Sequence, residues 1–169
     1  MSTQDNVQTV KEFFAAAGRS DLDGLLAVIA EDIEWILPGT DWPLAGTWRG
    51  HAGVQDLLKT HNEKIELAFT DPREFIAQGD RVLVVGLAQG KMKSTNKPFE
   101  DHFIFAMTVR DGKVTNIREY IDTQALARAS EMDASPSPSP SKPIPHETIR
   151  KVSEYVEQRQ RFAEAPNGQ

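Results

Sequence analysis

Apolar residues recur along this chain at two periods, and the period changes once. Over residues 3–17, Val7, Val10, Phe14 and Ala17 fall at helical spacing, which gives a first helix one greasy face. A second helix has Leu22, Leu25, Leu26 and Ile29 on its apolar face, and Ser20 and Asp23 are spaced as a capping box for its start. Ile33, Trp35 and Leu37 then alternate as a short strand stopped by Pro38-Gly39. A loop rich in Gly and Trp follows, holding Trp42, Leu44, Gly46, Trp48 and Gly50. It leads to a third helix over 51–64, with Val54, Leu57, Leu58 and His61 on one side.

From residue 65 the period is two. Strands are expected near 65–70, 73–78, 81–92, 98–110 and 113–122, with turns at Gly79-Asp80, Ser94-Thr95-Asn96 and Asp111-Gly112. Helices followed by a run of strands indicate an α+β fold, with the N-terminal helices on one face of an antiparallel sheet. The last two strands are long enough to bend. A bent sheet covered by three helices encloses a cone, and a cone of this kind can hold a small ligand.

Phase within those strands selects the candidate chemistry. On 98–110 the greasier face carries Phe99, Asp101, Phe103, Phe105, Met107 and Val109 and should meet the helices. On the final strand Ile117, Glu119 and Ile121 share one phase, opposite Asn116, Arg118, Tyr120 and Asp122. A strict two-residue turn at Asp111-Gly112 would pair Val109 with Val114 but also Phe105 with Arg118, burying the arginine. A bulge in the hairpin reconciles the turn with the apolar pattern and points Glu119 inward.

A carboxyl among Phe, Ile and Leu resists ionisation, because burial disfavours the charged form. Such a group suits general acid–base work near neutral pH, so Glu119 and then Asp101 are the candidate catalytic residues. Two blander placements of Glu119 stay open: paired with a buried arginine, or at a wet rim. Asp122 precedes Thr123-Gln124-Ala125-Leu126, and Asp122 or Thr123 is the expected N-cap of a short helix. His102 is expected at the surface or an interface, and His61 in the core or at a pocket rim. Trp35, Trp42 and Trp48 are either a pocket lid offering an indole donor each, or core filler under a long loop.

Composition narrows the classes. With 169 residues, 39% apolar and 8% aromatic, the chain suits one globular domain, or one domain and a tail. A net charge of −6 gives no electrostatic footprint for nucleic acid or for an anionic membrane surface. The absence of cysteine removes disulfides, thiolate catalysis and zinc–thiolate sites, and four histidines give no His-rich metal motif. No apolar run approaches the ~20 residues of a membrane-spanning helix, and the first residues lack a signal peptide's basic and apolar regions. A cytoplasmic location is the expectation.

After Ser130 the character changes. Residues 135–141 alternate Ser and Pro and are followed by Lys142-Pro143-Ile144-Pro145, a semi-rigid linker of polyproline character. Residues 146–164 then read as an amphipathic helix with Ile149, Val152, Val156 and Phe162 near one face. Either it docks on its own body, a second subunit or a partner, or it is a frayed tail. The expected organisation is therefore a domain over 1–130, a linker over 131–145, and a C-terminal tail helix within 146–169.

Several phrases match a known family. They are Ser20-Asp21-Leu22-Asp23-Gly24-Leu25-Leu26, Asp32-Ile33-Glu34-Trp35, Leu44-Ala45-Gly46-Thr47-Trp48-Arg49-Gly50, Gly79-Asp80-Arg81-Val82, Arg110-Asp111-Gly112-Lys113-Val114 and Arg118-Glu119-Tyr120-Ile121-Asp122. On these, residues 5–128 resemble the SnoaL-like branch of the nuclear transport factor 2-like superfamily, which also holds ketosteroid isomerases and limonene-epoxide hydrolases. The resemblance implies a cone-shaped roll of strongly curved antiparallel sheet around a pocket, and homodimers formed through the sheet. It implies an acid or base on the final strand, at Glu119. Other catalytic sets of the superfamily are incomplete here. Phe105 stands where the aldol cyclases have a histidine, and Gly86 and Ala88 stand near the epoxide hydrolases' Arg and Asp. Phe13 and Leu37 stand at the isomerases' Tyr and Asp, while Asp101 falls close to their oxyanion-stabilising acid.

The expected function is thus a cofactor-independent enzyme, without metal, acting by carboxylate acid–base chemistry on a small hydrophobic oxygenated metabolite. Its pocket would be lined by Phe13, Trp35, Leu37, Trp42, Leu44, Trp48, Leu58, His61, Phe103, Phe105, Ile117 and Ile121. The alternative is a non-catalytic module that binds a small ligand or a protein, with the C-terminal helix docking on the partner.

Overall fold

The computed structural model describes residues 2–131, the side chain of Phe69 excepted. The Ser-Pro linker and the tail helix expected beyond lie outside the described residues. Helix α1 (Thr3–Gly18) starts at a reciprocal cap, in which Asp5 N donates to Ser2 Oγ and Ser2 N donates to Asp5 Oδ2. Its inner face is Val10, Phe13 and Ala16, with Asn6 donating to the Gly79 carbonyl at 3.0 Å. Helix α2 (Leu22–Val28) begins one residue later than the expected capping box allows. Ser20 takes a left-handed conformation (φ 54°), and the cap is Asp21, whose Oδ1 accepts from Gly24 N at 2.9 Å. A Cβ at Gly24 would stand 2.4 Å from Asp21 Oδ2, so glycine makes room for this cap.

Strand β1 (Ile29–Leu37) is longer than its alternating core, and β2 (Gly46–Arg49) lies in what reads as loop. Four residues are too few to show a period, but they pair with β1 through Trp35↔Trp48 and Leu37↔Gly46. Helix α3 (Gly50–Lys64) follows. Strand β3 (Ile65–Gln78) is one strand where two were expected, bent by irregularities between Leu67 and Phe69 and between Pro72 and Glu74. Pro72 is tolerated because β3 is an edge strand. Then come β4 (Arg81–Met92), β5 (Pro98–Arg110), β6 (Lys113–Tyr120) and α4 (Thr123–Ser130).

The sheet order is β2-β1-β6-β5-β4-β3, antiparallel except for β1 beside β6. This is a strongly curled α+β roll of the cone type, and its core lies between the concave face and helices α1, α3 and α4. The β5–β6 hairpin satisfies both demands made by the sequence. Asp111 and Gly112 have positive φ (49° and 74°), as a two-residue turn requires, and pair Arg110↔Lys113 and Val109↔Val114. The register then slips by one, with Thr108↔Asn116, Met107↔Ile117 and Phe105↔Glu119. Thr115 is the extra residue of the bulge, and Arg118 is left outside.

Candidate active site

The slipped register turns Glu119 to the concave face, between β5 and β1, where it is only 7% exposed. From β1, the indole Nε1 of Trp35 donates to Glu119 Oε1 at 2.6 Å. Burial pushes the Glu119 carboxyl up from 4.5 to about 8; the Trp35 hydrogen bond opposes this and the charge of Asp101 adds to it. Glu119 is therefore largely protonated at neutral pH. Oε1 already accepts from Trp35, so the acidic proton belongs on Oε2. Among the described residues Oε2 has no hydrogen-bond partner, and no fully enclosed polar side-chain atom lacks one. The small residual exposure of Glu119 thus includes the oxygen that carries the proton.

Asp101 shares the concave face of β5 and is 6% exposed. Its Oδ1 accepts from the backbone N–H of Asp122 at 2.8 Å. Burial raises its pKa, and the Asp122 N–H works against that rise. Asp122 is the N-cap of α4, accepting from Ala125 N at 2.9 Å.

Aromatic rings cluster around Trp35, the hydrogen-bond partner of Glu119. Trp35 lies 5.5 Å from Phe13 and 6.3 Å from Phe105, centroid to centroid, and Phe105 lies 5.0 Å from Phe103. Phe14 reaches down from α1 to touch Phe13, Phe75, Phe103 and Phe105. Phe14, Phe75 and Phe105 are half-buried, so the outer side of the cluster meets solvent. Two surface depressions lie elsewhere. One of about 350 Å³ is bordered by Thr3, Asn6, Asp80 and Arg110, and one of about 520 Å³ by Pro38, His102, Ile104, Tyr120 and Asp122. Neither contains Glu119.

Several residues expected to line a pocket are packed into the core, and of the two readings of the tryptophans Trp42 fits core filler. Phe13, Leu37, Leu44 and Ile117 are core, and Trp42 is buried with its indole N–H donating to the Pro38 carbonyl at 2.7 Å. Trp48 is half-buried and its N–H donates to the Leu44 carbonyl at 3.0 Å. Both indoles spend their donors on a carbonyl four residues back, so among the described residues only the Trp35 indole serves the carboxyl. Leu58 and Ile121 are half-buried against the core. His61 is half-buried in the last turn of α3, where burial lowers its pKa and the Asn62 side chain opposes the shift. His102 is exposed and pairs with Glu100 at 3.3 Å. Phe75, absent from the expected wall, joins the cluster because Phe75 and Ala77 face inward, a phase masked in the sequence by the Asp71-Pro72 break. The Trp35–Glu119 bond spans 84 positions and leaves no local signal.

Comparisons with known proteins agree with this architecture. A family model described as SnoaL-like domain matches residues 10–117. The crystal structure of an NTF2-like protein from Burkholderia xenovorans LB400 is 65% identical, with a TM-score of 0.73, and the alignment covers 78% of this chain and 99% of that one. An NTF2-like protein of unknown function from Burkholderia pseudomallei K96243 is 30% identical, with a TM-score of 0.68 over 76% of this chain and 98% of that one. TerC, co-crystallised with polyporic acid, is 30% identical, with a TM-score of 0.65 over 74% of this chain and 97% of that one. Among curated proteins none matches.

Proposed function

This chain belongs to the SnoaL-like domain family, and on that footing we propose that it is an enzyme without cofactor, using Glu119 to move a proton on a small hydrophobic, oxygenated molecule. The supporting observation is a buried carboxyl held by the Trp35 indole at 2.6 Å, in surroundings that push its pKa up to about 8. Oε2–H can donate to a ligand oxygen, and the resulting carboxylate can take a proton back from carbon, such as one alpha to a carbonyl. The Trp35 N–H stays on Oε1 through both states and keeps the carboxyl in place. Phe14 and Phe105 are half-buried and in ring contact with each other, and on this reading ligand entry requires rings of the cluster to swing. A cytoplasmic location accompanies this reading; among the described residues no helix is long and apolar enough to cross a membrane.

The convex face of the sheet supports self-association. Ile76, Ile104 and Tyr120 are 48%, 39% and 55% exposed there. A homodimer through this face is part of the proposal.

A second reading rests on the ring cluster itself. If the rings do not move, the chain is a binding or interaction module whose interior is pure core. One screen separates the two. Wild-type protein and Glu119→Gln are tested for ligand binding and turnover against hydroxylated and keto aromatics, including polyporic acid because the relative TerC was crystallised with it. The enzyme reading expects turnover that falls about 10²–10⁴-fold in Glu119→Gln. Equal turnover in the two proteins refutes the role of Glu119, and a panel that binds without reacting, or neither binds nor reacts, favours the module.

A further inference from the structure

We propose that Asp101 is a positioning residue, whose side chain supplies the connection that is missing where β6 leaves the sheet and so sets the seat of Glu119. The inference rests on the acid–base reading of Glu119 and adds to it. The resemblance alone gives Asp101 a different task, donation to an oxyanion.

The geometry runs through three neighbouring positions. The β5–β6 ladder has its last pair at Ile104↔Tyr120, one residue past Glu119. Beyond it the chain turns away, and Thr123 N bonds back to the Ile121 carbonyl at 2.9 Å. The Asp122 N–H would point at no strand partner, and Asp101 Oδ1 takes it at 2.8 Å, from the same concave face that Glu119 occupies. A side chain thus replaces a rung of the ladder. It also fixes the start of α4, because the Asp122 side chain caps that helix while its backbone is held. The far end of α4 is tied separately, with Lys97 Nζ donating to the Glu131 carbonyl at 2.7 Å. Buried Leu126 and Ala129 lie between the two ties.

Charge gives Asp101 a second lever. Among the described residues, the ionisable groups acting on it are Asp122, His102 and Glu119, and its bonded donor is the Asp122 N–H. As a carboxylate it stands as a like charge toward Glu119, which favours the proton on Glu119. A residue that merely filled space would hold the strand end but would leave the titration of Glu119 alone.

The test follows Glu119 by carboxyl ¹³C NMR in the full chain and in Asp101→Asn, which keeps an oxygen for the Asp122 N–H but removes the charge. The expected result is a Glu119 midpoint lower by roughly one pH unit in Asp101→Asn. In Asp101→Ala, amide exchange at Asp122 should quicken at least about tenfold, because the bond itself is gone. An unchanged Glu119 midpoint in Asp101→Asn overturns the proposal. So does unchanged Asp122 exchange in Asp101→Ala. An ordinary carboxylate midpoint in the unaltered chain would instead refute the acid–base reading of Glu119, so the two failures are distinguishable.

Discussion

At position 119 the protein keeps a carboxyl group out of water and gives it one donor, the Trp35 indole. That arrangement costs stability as pH rises. The folded pKa, about 8, lies above the ordinary 4.5, so the native state holds a proton that the unfolded chain has already released. Stability is complete below the unfolded value and falls as pH climbs toward the folded one, by roughly 1.4 kcal/mol per pH unit between them. Thermal melts from pH 5 to 9 should show this decline in the wild type. Glu119→Gln, which cannot ionise, should flatten it. Trp35→Phe removes the donor while keeping a ring. It should cost about 1–3 kcal/mol in a denaturant titration, because Oε1 is left unsatisfied. The same change should move the Glu119 midpoint further up, since the indole bond is what lowers it.

Individual elements carry these residues to one place, and here the sequence is a good guide in some parts and silent in others. Alternation on β5 and β6 identifies Glu119 and Asp101 as inward residues, because a half-buried strand must keep its apolar phase. The conflict between the Asp111-Gly112 turn and that phase is itself the signature of the bulge at Thr115. Elements whose identity depends on a partner strand are not legible: β2 is held by β1, and β3 continues through Pro72 because β4 supports one side of it. The closeness of packing is also invisible in the pattern. Gly86 in β4 lies under Phe103, and a Cβ there would stand 2.3 Å from the ring's Cζ and 2.6 Å from the Asp71 carbonyl oxygen. Phe103 can shift, but the β3 backbone cannot easily do so. Gly86→Ala should therefore destabilise the fold by about 1–3 kcal/mol, measured by denaturant unfolding.

For the whole molecule, periodicity gives an α+β fold with helices on a bent sheet, and the matched phrases give the cone. Neither shows how full the cone is. Whether a ring-lined interior is hollow depends on side-chain rotamers, and Phe14 contacting four other rings is a tertiary outcome with no local sequence signal. The convex face is legible only as an odd excess of apolar residues, Ile76, Ile104 and Tyr120, at outward positions. If that face pairs two copies, wild-type protein should run as a dimer in light scattering. Ile104→Glu with Tyr120→Glu should run as a folded monomer, because like charges would face each other across the interface. All of the proposed chemistry depends on the carboxyl of Glu119 being neutral inside this fold. Carboxyl ¹³C NMR of the unaltered chain, titrated from pH 3 to 10, reads that state directly. A Glu119 midpoint near 8 is the outcome expected from its burial, and a midpoint near 4.5 would contradict it.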